Sequence, residues 1–239
     1  AEVTAYVASG ATVTIIDDNG ELPTAGVRRI VNQNLHATPA LYGRAPGPQL
    51  LLGPEYALIR RDVTGSLRDD DAREGHDVLV ALGGSDPLRL TAVIVDALLD
   101  ATDAVVRVAP GLVAPESSAA GTRADRVIVD GSDLVEAFAC ADLAIIGAGS
   151  TMWEVGRRGI PAIALVVAEN QVAGSAAAQR LGFVRTIDVR TERSTSQIAA
   201  VAADLLDDPT ERAAMAAAGR SWFDGHGAAR VTQAILSDW

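Results

Sequence analysis

The sequence predicts an α/β fold, on three observations. From Val78 onward, apolar runs alternate with helical stretches. The runs are nearly continuous in apolar residues, as parallel strands buried on both faces are. Two of them end in small-residue corners, "LGGSDP" and "IIGAGST", of the kind that turn a strand into a helix.

The elements follow in order. Residues 1–62 start inside a helix end with Gly10 as its cap, then give strand-like "TVTIIDD", "GVRRIVNQN" and "PQLLLGPEYALIR". They read as a partial N-terminal α/β domain, the last strands of a unit whose opening strands are not found. Residues 63–77, within "RRDVTGSLRDDDAREGHD", are charged and lack periodicity, and read as a linker. Residues 78–222 form a complete Rossmann-like domain. Its strands are "DVLVALG", "AVVRVAP", "DRVIVDG", "DLAIIGAG" and "IPAIALVVA"; its helices include "DPLRLTAVIVDALLD", "SDLVEAFACA", "TMWEVGRRG" and "NQVAGSAAAQRLG". Helices from Ser194 to Leu206 and Pro209 to Arg220 follow, and residues 223–239 supply a C-terminal helix.

Composition excludes several functions. The 239 residues carry a net charge of -11, which argues against nucleic acid or an anionic membrane as partner. No apolar run approaches the ~18 residues of a membrane span, and no signal peptide is visible, so a cytoplasmic address is expected. All 20 basic residues are arginine. Without lysine there is no P-loop, no pyridoxal Schiff base and no protein kinase. Cys140 is the single cysteine, and His36, His76 and His226 are dispersed, so no metal site is expected.

The two corners are the candidate site. Gly83, Gly84 and Ser85 precede Asp86-Pro87, which opens a helix with its own cap. Glycines there let a ligand approach the backbone, and free amides at a helix start attract anions. Gly149, Ser150 and Thr151 repeat the arrangement, and Glu154 lies one turn on, placed to accept the two hydroxyls of a ribose. Thr151 to Glu154 also spells a capping box, which would occupy both side chains with backbone amides. A dinucleotide fingerprint nearly fits: residues 147–152 read G-A-G-S-T-M, with Met152 where helix packing wants glycine, and Glu169 follows about twenty residues on. A nucleophile elbow fails, because neither Ser85 nor Ser150 is framed by two glycines.

The stretches "VNQNL", "LLGPEYALIRRD", "VLVALGGSDP" and "ADLAIIGAGSTMWEVGRRGIPAIALVVAENQ" together resemble the UDP-sugar hydrolases of pseudaminic-acid biosynthesis and the related spore-coat polysaccharide proteins. The resemblance runs through the whole chain and implies a glycosyltransferase-B-like fold. It implies UDP or a UDP-sugar as ligand, with no cofactor, and cleavage of the anomeric C–O bond by water; transfer to an acceptor, or binding without turnover, are the alternatives. By position, Gly83, Gly84, Ser85, Gly149, Ser150 and Thr151 would lie near the diphosphate and Glu154 at the ribose. Glu169, Asn170 and Gln171 would point at the sugar, and Tyr56 and Arg60 would face the cleft. Asn170 also reads as a plain helix cap. The family's G-x-G-H corner, whose His serves the hydrolytic water, does not occur in these residues, so the chain reads as a fragment or a short form. His36 lies outside the matching position, and the catalytic residues stay unassigned.

Overall fold

The computed structural model describes residues 2–43, 47–65, 76–83, 86, 88–109, 126–129, 134–192 and 194–237. The chain forms two units, Ala1–Ile59 with Trp222–Trp239, and Arg60–Ser221.

The first unit holds helix α1 (Glu2–Ala8) and strands β1 (Thr14–Ile16), β2 (Arg29–Asn32) and β3 (Gln49–Leu52), with 3-10 turns at Pro39–Tyr42 and Pro54–Tyr56. The strands form one parallel sheet in the order β1-β2-β3. Gly10, at φ +81°, ends α1 in the left-handed conformation that suits glycine. Val3 and Val7 of α1 pack on one set of sheet residues, Ile15 and Ile30.

The second unit begins with a short helix α2 (Arg61–Thr64) and continues with β4 (Asp77–Ala81), α3 (Thr91–Ala101), β5 (Val105–Val108), β6 (Val127–Val129), α4 (Leu134–Cys140), β7 (Leu143–Gly147), α5 (Thr151–Arg158), β8 (Ala162–Val166), α6 (Val172–Arg180), β9 (Val184–Asp188), α7 (Thr195–Asp207) and α8 (Pro209–Trp222). The last helix, α9 (Gly227–Leu236), belongs to the first unit. There Val231 packs on Val31 and Leu51, the opposite set of sheet residues from those under α1. The C-terminal helix is therefore not a separate segment but one cover of the N-terminal sheet.

Every pairing in the second sheet is parallel, in the order β6-β5-β4-β7-β8-β9. Alternation sorts its side chains: Val78, Val80, Leu143, Ile145, Ile163 and Leu165 share one core with Ile94 and Leu98 of α3, Ile198 and Leu205 of α7, and Met215 of α8. Burying each such side chain stabilises the fold by about 1.5–3 kcal/mol. The intervening residues include Ala144, Ala162 and Ala164, also buried, on the side where α5 and α6 pack. Small side chains there let the α5 backbone approach the sheet closely.

Two local readings need correction. The helix read from Asp86-Pro87 starts later, at Thr91. Asp86 and Arg89 take positive φ, +32° and +52°, and the chain makes a turn before the helix begins. Such angles are unfavourable for side-chain-bearing residues. Here they let the Asp86 carboxylate reach forward to the amides of Leu90 and Thr91, each at 2.9 Å. Pro87, read as the first helical residue, lies outside the described residues, as do Gly84 and Ser85. Secondly, the linker does not begin at residue 63, since Arg61–Thr64 is helical.

Candidate functional site

In a parallel sheet all strand exits share one edge. In the second unit this edge carries Gly83 after β4, Gly147 to Thr151 after β7, Glu169 to Gln171 after β8, and Arg190 after β9. The chain runs outward from β4 through β5 to β6, then resumes with β7 on the other side of β4. The order thus reverses between β4 and β7, which opens the crevice where open α/β sheets bind ligands. The two glycine corners flank this reversal. A Cβ on Gly147 would meet the carbonyl oxygen of Leu82 at 3.4 Å, so the β7 exit lies against the residue before Gly83. Gly83 has φ +91°, and a Cβ there would meet open space.

The corners are not equivalent. At the first, Asp86 already caps the Leu90 and Thr91 amides, so the start of α3 holds a carboxylate from its own chain. At the second, the Ala148 amide donates to Leu165, Gly149 to Gly147, Met152 to Gly149 and Trp153 to Ser150. Ser150 makes no side-chain capping bond. The Ser150 and Thr151 amides are thus left at the start of α5 without a partner among the described residues, as the first turn of any helix leaves its donors. With the helix dipole behind them, free amides of this kind suit an anion.

Glu154 lies one turn along α5, its side chain 13% exposed. It does not close the capping box that its spelling with Thr151 suggests. Instead Arg60 donates through Nε to Glu154 Oε1 at 2.9 Å. Burial pushes the Glu154 carboxyl above its ordinary value; Arg60 pulls it back in part, and Asp62 adds to the rise. Oε2 accepts no bond among the described residues. Met152 is buried, and α5 makes its close approach through Gly156, whose Cα would lie 2.8 Å from a Cβ on Gly219 of α8. Helix packing here is thus served by glycines outside the dinucleotide spelling.

Glu169, Asn170 and Gln171 form one 3-10 turn just after β8. Asn170 is exposed and is not the cap, a place taken by Ala168. Gln171 turns inward: its Oε1 accepts the amides of Val167 at 2.8 Å and Ala168 at 3.3 Å. Glu169 accepts from Arg190 Nη1. Arg190, which the sequence did not single out, is held in turn by Asp188. In the first unit, Tyr56 packs beside Val31, Leu51 and Val231, so its ring is part of an apolar cluster. The structure thus gathers Gly83, Gly149 to Thr151, Glu154 and Glu169 to Gln171 on one sheet edge of one unit. Among the described residues no helix is long and apolar enough to cross a membrane.

Comparison with known proteins adds to this geometry. No protein-family model matches the chain. It is 27% identical over 201 residues to the spore coat polysaccharide biosynthesis protein SpsG of Bacillus subtilis (strain 168), covering 80% of this chain and 57% of that protein. The chain thus spans little more than half the length of this curated relative. Its structure is similar to MurG of Acinetobacter baumannii, with a TM-score of 0.71 and 16% identity, over 98% of this chain and 69% of that one. It is also similar to the spinosyn rhamnosyltransferase SpnG complexed with thymidine diphosphate, with a TM-score of 0.60 and 21% identity, over 89% of this chain and 57% of that one. The chain therefore has a glycosyltransferase-B-like α/β fold.

Proposed function

We propose that the Arg60–Ser221 unit binds a nucleoside diphosphate sugar at the β4/β7 reversal, with UDP as the nucleotide, and that the protein transfers the glycosyl group to an acceptor. The observation that carries this reading is the pair of unspent amides, Ser150 and Thr151, at the start of α5, with a carboxylate one turn on. The amides suit a diphosphate, and Glu154 Oε2 suits a ribose hydroxyl. Gly83, together with Gly84 and Ser85, would border the diphosphate from the β4 side. Glu169, Asn170 and the Nε2 of Gln171 would face the sugar. In the reaction the anomeric C–O bond to UDP breaks, an acceptor hydroxyl oxygen bonds to the same carbon, and the hydroxyl proton is released to solvent. The departing diphosphate gains charge, and fixed amide dipoles stabilise it without reorganisation.

The likeness to MurG and SpnG supports transfer. Hydrolysis, with water as acceptor, is the second reading. It is favoured by the sequence words "GPEYALIR" and "GSTMWE…GIP…AENQ", which resemble the UDP-sugar hydrolases. The substrate class in either case is a UDP-linked amino sugar of polysaccharide biosynthesis, and the cytoplasm is the setting where such donors are made.

Calorimetric titration with UDP and with uridine tests the phosphate assignment. UDP binding at least about tenfold tighter than uridine, the yield of one charge-assisted contact, supports it. Equal affinities contradict it. Product analysis then separates the two reactions: free sugar in water marks hydrolysis, and a glycosylated acceptor marks transfer.

A further inference from the structure

The exit of β8 is built more firmly than a solvent-facing loop requires. The Val189 amide donates to the carbonyl of Val166 at 3.1 Å, which carries the β8–β9 ladder past the end of the sheet. Gln171 Oε1 takes the next two amides, those of Val167 and Ala168. On this frame stands a line of three charges. Asp188 is the register partner of Val166, so it sits level with the end of β8. It accepts from the Arg190 amide at 3.1 Å, from Nε at 2.9 Å and from Nη2 at 2.7 Å. That fork fixes the guanidinium plane, and the remaining Nη1 donates to Glu169 Oε2. The attachment to Arg190 holds the Asp188 carboxyl down to about 2.

Stability is a poor explanation for this line. The Glu169 side chain is 89% exposed, and exposed ion pairs contribute about 0–1 kcal/mol. Ordering long side chains costs conformational entropy of similar size. What the arrangement does achieve is direction: one oxygen of Glu169 is tied to Arg190, and Oε1 accepts no bond among the described residues, on the strand edge that carries the other candidate residues.

We propose that Arg190, locked by Asp188, is the positioning residue for Glu169, holding Oε2 so that Oε1 meets an O–H or N–H of the donor sugar. The proposal rests on the reading that this edge binds a UDP-sugar. The requirement is for arginine, since one guanidinium must serve Asp188 with two donors and Glu169 with a third, which an ammonium cannot do in a fixed plane. The line carries two carboxylates and one guanidinium, so it selects neutral sugars with a donor group at this point over uronates.

The test is titration of the full chain with UDP and with a panel of UDP-hexoses, UDP-N-acetylhexosamines and UDP-uronates. Wild type is expected to spread in affinity across the panel, with the uronates weakest. Glu169→Gln and Arg190→Gln are each expected to narrow that spread by about tenfold, the value of one charge-assisted contact. The double variant should narrow it no further, because the two residues act as one unit. Arg190→Lys should fail to restore it, although the charge is kept. Loss of the spread must exceed any change in affinity for UDP alone and occur at an unchanged melting temperature; otherwise the role is structural and the proposal fails. A wild-type spread that survives Arg190→Gln overturns it, as does a wild type that does not distinguish the sugars. Absence of UDP binding in wild type overturns the underlying reading, and the proposal with it.

Discussion

Arg60 and Glu154, 94 positions apart in sequence, meet through a single hydrogen bond of 2.9 Å from Nε to Oε1. The pair joins the start of the second unit to the first turn of α5. It places a mostly buried carboxylate one turn from a helix start whose Ser150 and Thr151 amides have no partner among the described residues. The acid is set against a half-exposed cation, so its charge is neither fully quenched nor fully solvated.

The pH dependence of nucleotide binding follows from this pair. Burial raises the Glu154 carboxyl and Arg60 lowers it, so removing Arg60 raises it further. A carboxyl raised in the fold contributes stability that is fully present below its unfolded value and lost as pH rises through the folded one. Ribose binding by the carboxylate has the opposite sense: it is present above the folded value and lost as pH falls through it. In Arg60→Gln, UDP binding should therefore weaken at a higher pH than in wild type. Titrations from pH 4 upward check this, and an unmoved acid limb would mean Glu154 does not hold the ligand.

Asp86 is predicted to oppose nucleotide binding. Its carboxylate caps α3 at one of the two corners where the diphosphate is proposed to bind, and like charges repel. Asp86→Asn keeps a residue type that tolerates positive φ and keeps one capping oxygen. It should lower stability by about 0.5–1 kcal/mol and tighten UDP binding. Calorimetry and thermal melting read the two effects separately. Unchanged or weaker UDP binding would contradict a diphosphate at this corner.

The α5–α8 crossing should not tolerate a methyl group. A Cβ on Gly219 would lie 2.8 Å from both the Cα and the carbonyl oxygen of Gly156, where backbone cannot yield. Gly219→Ala should cost about 1–3 kcal/mol, seen as a fall of several degrees in melting temperature. The opposite sign, from better helix propensity, would show that the helices part easily.

Arg158 should be replaceable with a gain. It is 1% exposed, and its Nε and Nη1 have no partner among the described residues. Burial lowers the pKa of its guanidinium. Apolar groups of similar volume in place of buried ion pairs are often neutral or stabilising by about 1–4 kcal/mol, and a buried charge without a partner has less to lose. Arg158→Met should raise the melting temperature. A fall would mean that the cation has a binding role at this helix end.

The strand–helix alternation and the turn from β7 into α5 were legible in the sequence, because buried parallel strands leave unmistakable apolar runs. What was not legible depends on contacts distant in sequence. The capping-box spelling of Thr151 and Glu154 is local, but Arg60 claims the acid from far along the chain. The late start of α3 rests on positive φ at Asp86 and Arg89, which no propensity reports. Gln171 is polar and sits in a promising loop, yet its carbonyl braces the backbone of its own turn. Arg190 carried no motif and acquires its place only when β9 pairs with β8. The affiliation of α9 with the first unit was hidden for the same reason, since periodicity gives a helix its apolar face but not the sheet it covers.

The second glycine corner, with Glu154, is proposed to hold a nucleoside diphosphate. The most direct measurement is calorimetric titration of the chain and its Glu154→Gln variant with UDP and, separately, with NADH. Saturable UDP binding is expected, weakened by about 1–3 kcal/mol in the variant as a buried polar contact is lost, with no comparable NADH binding. Binding of NADH in preference to UDP, or UDP binding indifferent to Glu154, would contradict it.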